Sequence, residues 1–321
     1  MRLTMTMKPP VSLIRYAFLL TLMMGLNGTL LAQDKPVEYT TTQLSGTVTM
    51  IRGQGGNVAI SAGEDGVYVI DDQLKPITAQ LIDTIRKISA QPIRFVINTH
   101  YHGDHVGGNE MIGETGAIIV AHDNVRQRMT RQEFSEFWNR DSEVWPLGAL
   151  PVLTFSESMT LHLNDEAATV YHVARGHTDG DSIVHFPISN VIHMGDIFFN
   201  GLYPFIDLDG GGTLQGMLAA TETAISLANE DTRIIPGHGP LASLNDLTSY
   251  REFLVKAGGN VQALIDQGKS LEQAIEMKPT AEWDEALGQT WIKPAQFVTF
   301  LYNSLTGVDH YTRNPLNSPD D

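Results

Sequence analysis

Beyond residue 40, apolar positions fall in short runs separated by glycine-rich breaks. Residues 47–51, 58–60 and 67–70 read as strands, divided by Gly53-Gln-Gly-Gly56 and Gly63-Glu-Asp-Gly66, which have turn composition. Pro76 then opens a helix whose Ile77, Leu81, Ile82, Ile85 and Ile88 recur at helical spacing. A buried-strand run over 93–97 leads directly into Asn98-Thr-His-Tyr-His-Gly-Asp-His105, and 117–120 is a further short strand. Strands are predicted again at 159–163, 169–173, 183–186, 191–193 and 233–236, with a helix over 214–227. From 240 to about 304 the pattern is helical. The segment 134–145, with Phe134, Phe137, Trp138 and Trp145, is predicted as an amphipathic packing helix, with a lid over a site as the alternative. The order is β-rich, mixed, β-rich, then α, which predicts sheets covered by helices.

The first 32 residues stand apart. Arg2, Lys8 and Arg15 are their only charges, and a short apolar run over 16–26 leads to Ala32. A basic start, a greasy centre and a small exit residue predict a secretory leader cleaved after Ala32. The expected product is a periplasmic or secreted protein forming one domain over 33–321, with 241–321 a mostly helical extension. The 321 residues contain no cysteine, so disulfides, thiolate nucleophiles and thiolate ligands are excluded. The formal charge is −16. The leader removes three of 21 basic residues and none of 37 acidic ones, taking the charge to −19. Such a surface argues against nucleic acid, whose affinity is largely cationic. The expected partner is a small-molecule substrate, with no stable membrane association after cleavage and no subunit count implied.

Candidate chemistry concentrates where strands end. His100-Tyr-His-Gly-Asp-His105 places three imidazoles and a carboxylate within six residues. On a helix, residues i and i+2 would lie about 200° apart. In an extended loop they share a face. His100 and His102 can therefore grip one cation, while Asp104 and His105 turn toward a second. Neutral imidazole and carboxylate suit zinc, and also iron or manganese. Three further loops carry ligand types beside glycine: Gly176-His177-Thr-Asp-Gly-Asp181, His193-Met-Gly-Asp196 and Pro236-Gly-His-Gly239. His122, His162, His172, His185, His193 and His310 read as structural or surface residues. His172 could support the His177 loop, and so could Thr178, Asp179, Asp181 and Ser182.

The HxHxDH cluster followed in order by His177, Asp196 and His238 resembles the signature of the metallo-β-lactamase-fold hydrolases, over about residues 45–245. The resemblance implies a four-layer αβ/βα sandwich, α/β in class, with the site at one edge. It implies His100, His102 and His177 on a first metal, Asp104, His105 and His238 on a second, and Asp196 bridging both. Two Zn²⁺ ions would generate a hydroxide near neutral pH, with Asp104 as ligand and catalytic orienter of that nucleophile. The chain lacks the cysteine ligand of one β-lactamase group and has the bridging aspartate that another lacks. Its ligand set is most similar to the glyoxalase II branch, yet residues 241–304 offer only scattered Arg251, Lys256, Lys269, Lys278 and Lys293 to grip glutathione.

The expected enzyme is a dinuclear zinc hydrolase using metal-bound hydroxide on a small ester, lactone, thioester or amide. The alternatives are hydrolysis of β-lactam antibiotics and an iron-dependent oxygenase of the same fold. A metal-binding protein without turnover is a third class. Phe198, Tyr203 and Phe205, following Asp196, are the candidate pocket residues. Asp207 and Asp209 read as turn acids before Gly210-Gly-Gly212.

Overall fold

The computed structural model describes residues 38–307. The expected leader over 1–32, its cleavage point and His310 lie outside the described residues. A seven-stranded sheet contains β1 (Thr40–Ser45), β2 (Val48–Arg52), β3 (Val58–Gly63), β4 (Gly66–Ile70), β5 (Ile93–Ile97) and β6 (Ile118–His122). After a small hairpin, β7 (Phe134–Ser135) with β8 (Arg140–Asp141), β9 (Leu153–Phe155) completes its edge. β1 to β4 form an antiparallel meander, and β4, β5, β6 and β9 pair in parallel. The second sheet runs in order β10 (Ser158–Leu163), β11 (Glu166–His172), β12 (Ser182–Phe186), β13 (Val191–His193), β14 (Arg233–Ile235), and only its last pair is parallel. Parallel neighbours need crossovers. These are supplied by α1 (Thr78–Ile88), by α2 (Gly103–Val106) with α3 (Asn109–Gly113), by α4 (Asp123–Met129), and by α5 (Leu214–Leu227). The chain then continues through α6 (Leu244–Asp266), α7 (Leu271–Glu276), α8 (Ala281–Leu287) and α9 (Pro294–Thr306).

The period-two alternation of a strand sorts its side chains between layers. In β4, Val67 and Val69 face Leu81 and Ile85 of α1, whereas Tyr68 and Ile70 join the core between the sheets. That inner core also holds Val170, Val184, Phe186 and Ile235 from the second sheet, with Tyr68 and Phe186 stacked at 6.1 Å. On the outer face of the second sheet, Ile183, Ile192 and Ile234 pack against Met217 of α5, Leu254 of α6 and Leu301 of α9. The layers are helix, sheet, sheet, helix, as expected for the αβ/βα sandwich. Among the described residues no helix is long and apolar enough to cross a membrane.

The segment 134–145 departs from expectation. It is the β7–β8 hairpin with an extended continuation, not a packing helix. Phe137 packs on Phe205 and Phe300 at 4.8 and 5.2 Å, while Phe134 and Trp138 stay exposed. Its aromatics are thus split between faces at close sequence spacing, which a single helical stripe would not do.

Candidate metal centre

The polar residues of interest leave strands at their carboxyl ends, the edge where open α/β sheets hold ligands. β4 delivers Asp71, β5 leads to His100–His105, β13 leads to Asp196, and β14 leads to His238. The backbone at His102 is extended, and α2 begins at Gly103. This change of conformation separates the His100/His102 pair from Asp104 and His105. Two clusters result, each with its ligand-type atoms within 4.8 Å of one another: His100, His102, His177 and Asp196, and Asp104, His105 and His238.

Asp196 lies between the clusters. Its Oδ2 is 3.9 Å from His100 Nε2, 3.7 Å from His177 Nε2 and 3.3 Å from His238 Nε2, and its Oδ1 is 3.1 Å from His105 Nε2. Asp104 Oδ2 is 3.3 Å from His238 Nε2 and 3.6 Å from His105 Nε2. Close backbone approach makes this possible. A Cβ on Gly237 would collide with Asp196 Oδ1, and one on Gly56 would collide with the His105 ring.

For four of the five clustered imidazoles, the far side fixes which nitrogen faces inward. His105 Nδ1–H donates to Asp71 Oδ2 at 2.8 Å, and His177 Nδ1–H donates to the Phe205 carbonyl at 2.8 Å. Thr99 Oγ1 spends its proton on Asp71 Oδ2, so it accepts from His100 Nδ1–H at 3.1 Å. His102 Nε2–H donates to Asp207 Oδ2 at 2.9 Å. Each of these four rings therefore aims its second nitrogen inward, as a lone pair wherever that nitrogen is unprotonated. His102 Nδ1 and His177 Nε2 face each other at 2.9 Å, an approach that demands a proton or a cation. His100 Nε2, His105 Nε2 and Asp196 Oδ1 are buried without a hydrogen-bond partner. Such unsatisfied buried atoms around one point fit a bound cation and are costly otherwise.

Burial holds His100 well below the ordinary imidazole value, aided by repulsion from His105, and pushes His177 down to about 4. Burial also opposes protonation of His105 and His238, but nearby carboxylates win. Asp196, Asp104 and Asp71 hold His105 well above its usual value, and Asp196 with Asp104 raises His238 to about 9. Without metal, protons on these two rings occupy the positive positions that cations would take.

Asp71 and Asp207 are the supports that sequence reasoning missed. Asp71 is fully buried and accepts from Thr99 N at 2.7 Å, Thr99 Oγ1 at 2.8 Å and His105 Nδ1. Its signal was available, since it follows an apolar strand just as the other site residues do. Asp207 does make the expected turn, through Oδ1 and Gly210 N, yet its Oδ2 also holds His102 and accepts from Tyr101 Oη at 2.6 Å. Burial alone would raise the Asp207 pKa, but those bonds outweigh it and hold it below the carboxylate range. Asp181 grips the His177 and Thr178 backbone nitrogens at 2.5 and 3.0 Å, and burial pushes it up to about 7. Arg128 of α4 clasps Asp179 with two bonds, at 2.6 and 2.8 Å. His172 Nδ1–H donates to the Asp181 carbonyl. His193 joins neither cluster. It is buried, bonded to Asn57 O and Gly195 N.

The pocket candidates separate. Phe198 packs on Tyr250, and Tyr203 stacks on Phe297 with its hydroxyl donating to Asp284. Both are fully buried in the helix-covered core, so neither lines a cleft. Phe205 does lie at the site, its ring 5.9 Å from His102 and 5.5 Å from His177. Phe199, not anticipated, stacks on His238 at 5.4 Å.

Residues 41–238 match the sequence pattern of the family described as the metallo-beta-lactamase superfamily. A hydroxyacylglutathione hydrolase from Polaromonas sp. (strain JS666) is 24% identical over 199 residues, covering 61% of this chain and 66% of that protein. One from Maricaulis maris is 33% identical over 103 residues, 32% of each chain. The chain thus spans a third to two thirds of these curated relatives. Among solved structures, a metallo-beta-lactamase from Pontibacter korlensis aligns with a TM-score of 0.56 at 19% identity, over 68% of this chain and 99% of that one. A sec-alkylsulfatase from Pseudomonas sp. aligns with a TM-score of 0.63 at 16% identity, over 87% and 52%. These structural likenesses concern the fold.

Proposed function

The chain belongs to the metallo-beta-lactamase superfamily, and from that premise we propose that it is an exported, dinuclear zinc hydrolase of a small ester, lactone, thioester or amide. The observation that carries this is the ring of inward lone pairs around Asp196, with orphaned atoms on His100, His105 and Asp196 itself. His100, His102 and His177 would hold one cation, Asp104, His105 and His238 the other, and Asp196 would serve both. When bound, the pair supplies Lewis acidity and lowers the pKa of a shared water.

The chain's own residues do the rest. Asp71, Asp207 and the Phe205 carbonyl lock the imidazoles in the coordinating tautomer. Asp104 is held ionised: burial would raise its pKa, but His105 and His238 pull it below the carboxylate range. It is also more exposed than Asp196, at 28% against 4%. Its carboxylate can accept a hydrogen bond from an attacking water on the solvent side and orient it. Phe199 and Phe205 exclude water behind the histidines.

The curated relatives favour a thioester within this range. A glutathione conjugate is disfavoured, because three of the five scattered cations that could grip it are engaged. Lys256 pairs with Glu282, Arg251 lies 3.5 Å from Glu222, and Lys293 bonds the Gln289 carbonyl. The test is metal content by mass spectrometry alongside turnover of a chromogenic cephalosporin, a lactone, a thioester and a phosphodiester. Close to two zinc ions per chain with hydrolysis of an ester, lactone or thioester is expected. One iron per chain with no hydrolysis would overturn the proposal and favour oxygen chemistry at the same histidines.

A further inference from the structure

Two of the three exposed Phe, Tyr or Trp side chains among the described residues stack together beside the metal-ligand edge. Trp138, at the tip of the β7–β8 hairpin, is 48% exposed, and Trp291, in the loop before α9, is 39% exposed. Their rings are parallel within 7°, with centroids 6.3 Å apart. Trp291 lies 6.1 Å from His238, 6.1 Å from Phe199 and 6.0 Å from Phe205, while Trp138 lies 6.1 Å from Phe205. A continuous aromatic surface thus begins at the ligand rings and ends in water. Buried Phe199 and Phe205 form its floor, and the two indoles form its outer wall. Exposed apolar surface of this kind, contiguous with convergent polar groups, is how a substrate cleft is built. Trp291 comes from beyond residue 238, where the family match ends, whereas Trp138 comes from within it, so the wall joins the matched domain to the helical segment that follows.

We propose that Trp138 and Trp291 are specificity-determining residues that select substrates whose acyl group carries a flat apolar ring, such as an arylacetyl ester or thioester. The inference rests on the hydrolytic reading of the adjoining centre. A flat ring placed there covers the exposed indole faces and gains offset or edge-to-face aromatic contacts. An acetyl group in the same place leaves them wet. Transferring one aromatic ring from water to such a wall predicts a preference of about tenfold or more.

Isothermal titration of the purified, metal-loaded protein with phenylacetate and with acetate, the acids such substrates would release, tests this without turnover. Phenylacetate is expected to bind at least about tenfold more tightly. In Trp138→Ala/Trp291→Ala the ratio is expected to fall to about twofold or less, and in Trp291→Phe to an intermediate value. Equal affinities in the wild-type protein would overturn the proposal whatever the variants do. So would a tenfold ratio that survives in a double variant melting like wild type. Hydrolysis of the ester panel without any aryl preference sinks this inference alone. Aryl preference in binding without turnover of any substrate sinks the hydrolase reading instead.

Discussion

Replacing Asp71 by Asn tests how the metal edge is prepared. The backbone there is left-handed, with φ at 60°, a conformation Asn tolerates and Ala does not. Asn therefore preserves the turn and changes only the donor pattern. Asp71 Oδ1 accepts from Thr99 N, and Oδ2 accepts from both Thr99 Oγ1 and His105 Nδ1. An amide offers one oxygen where the carboxylate offered two. With that oxygen toward Thr99 N, the NH₂ group meets His105 Nδ1–H, and the ring must switch tautomer to relieve the clash. The proton then sits on Nε2, the nitrogen aimed at Asp196. With the amide reversed, two donors collide at Thr99 N instead. Either outcome leaves a buried group unsatisfied, at about 1–3 kcal/mol. Supports of this kind are worth about 10- to 100-fold in metal affinity. Competition with a chromogenic chelator measures the affinity, and urea melts of the metal-free proteins measure the stability. Asp71→Asn protein that binds zinc as tightly as wild type would refute the claim that Asp71 sets the His105 tautomer.

Gly56→Ala is expected to push His105 out of place and lower stability by about 1–3 kcal/mol, the range for overpacking, with metal per chain falling in parallel by mass spectrometry. Arg128→Lys keeps the charge but loses the two-bond clasp on Asp179, and should cost about 2 kcal/mol in urea melts; an unchanged midpoint would count against it. His122 and His172 stack at 3.6 Å, and burial lowers both pKa values, with His172 adding repulsion at His122. Because the folded values lie below the ordinary 6.5, the unfolded chain binds more protons near that pH. The stability contributed by the neutral pair is thus present above 6.5 and lost as pH falls through it. Metal-free wild type should weaken between pH 7.5 and 5.5 more steeply than His172→Gln, and equal slopes in denaturant melts would exclude the pair as the cause.

Much of the site was legible because its ligands sit at the ends of short apolar runs. An HxHxDH stretch straight after β5 leaves few options for where its side chains can point. The strands themselves were legible because turn-forming glycines bracket them, and α5 (Leu214–Leu227) has the bounds that its apolar spacing predicts. Other features depended on tertiary contacts. Asp207 has the composition of a turn acid and does act as one; nothing local shows that its second oxygen reaches back 105 residues to His102. Phe198 and Phe199 are sequence neighbours, yet one is core and the other backs His238. Adjacent positions on an extended segment face opposite ways, and which side holds the site is settled by the helices that cover the other. The 134–145 segment failed as a helix for a related reason, since its aromatics serve the core and the solvent edge alternately.

Neither sheet carries a complete set of ligands. His100, His102, Asp104 and His105 issue from the first, and His177, Asp196 and His238 from the second. A cation held between His105 and His238 would be a cross-link between the two halves of the sandwich, closing a loop of more than a hundred residues. Such a link acts on native chains and leaves unfolded ones untouched. Metal uptake would therefore report completed assembly. A folding chain would acquire its cations, and the added resistance to unfolding they bring, only after both sheets had docked.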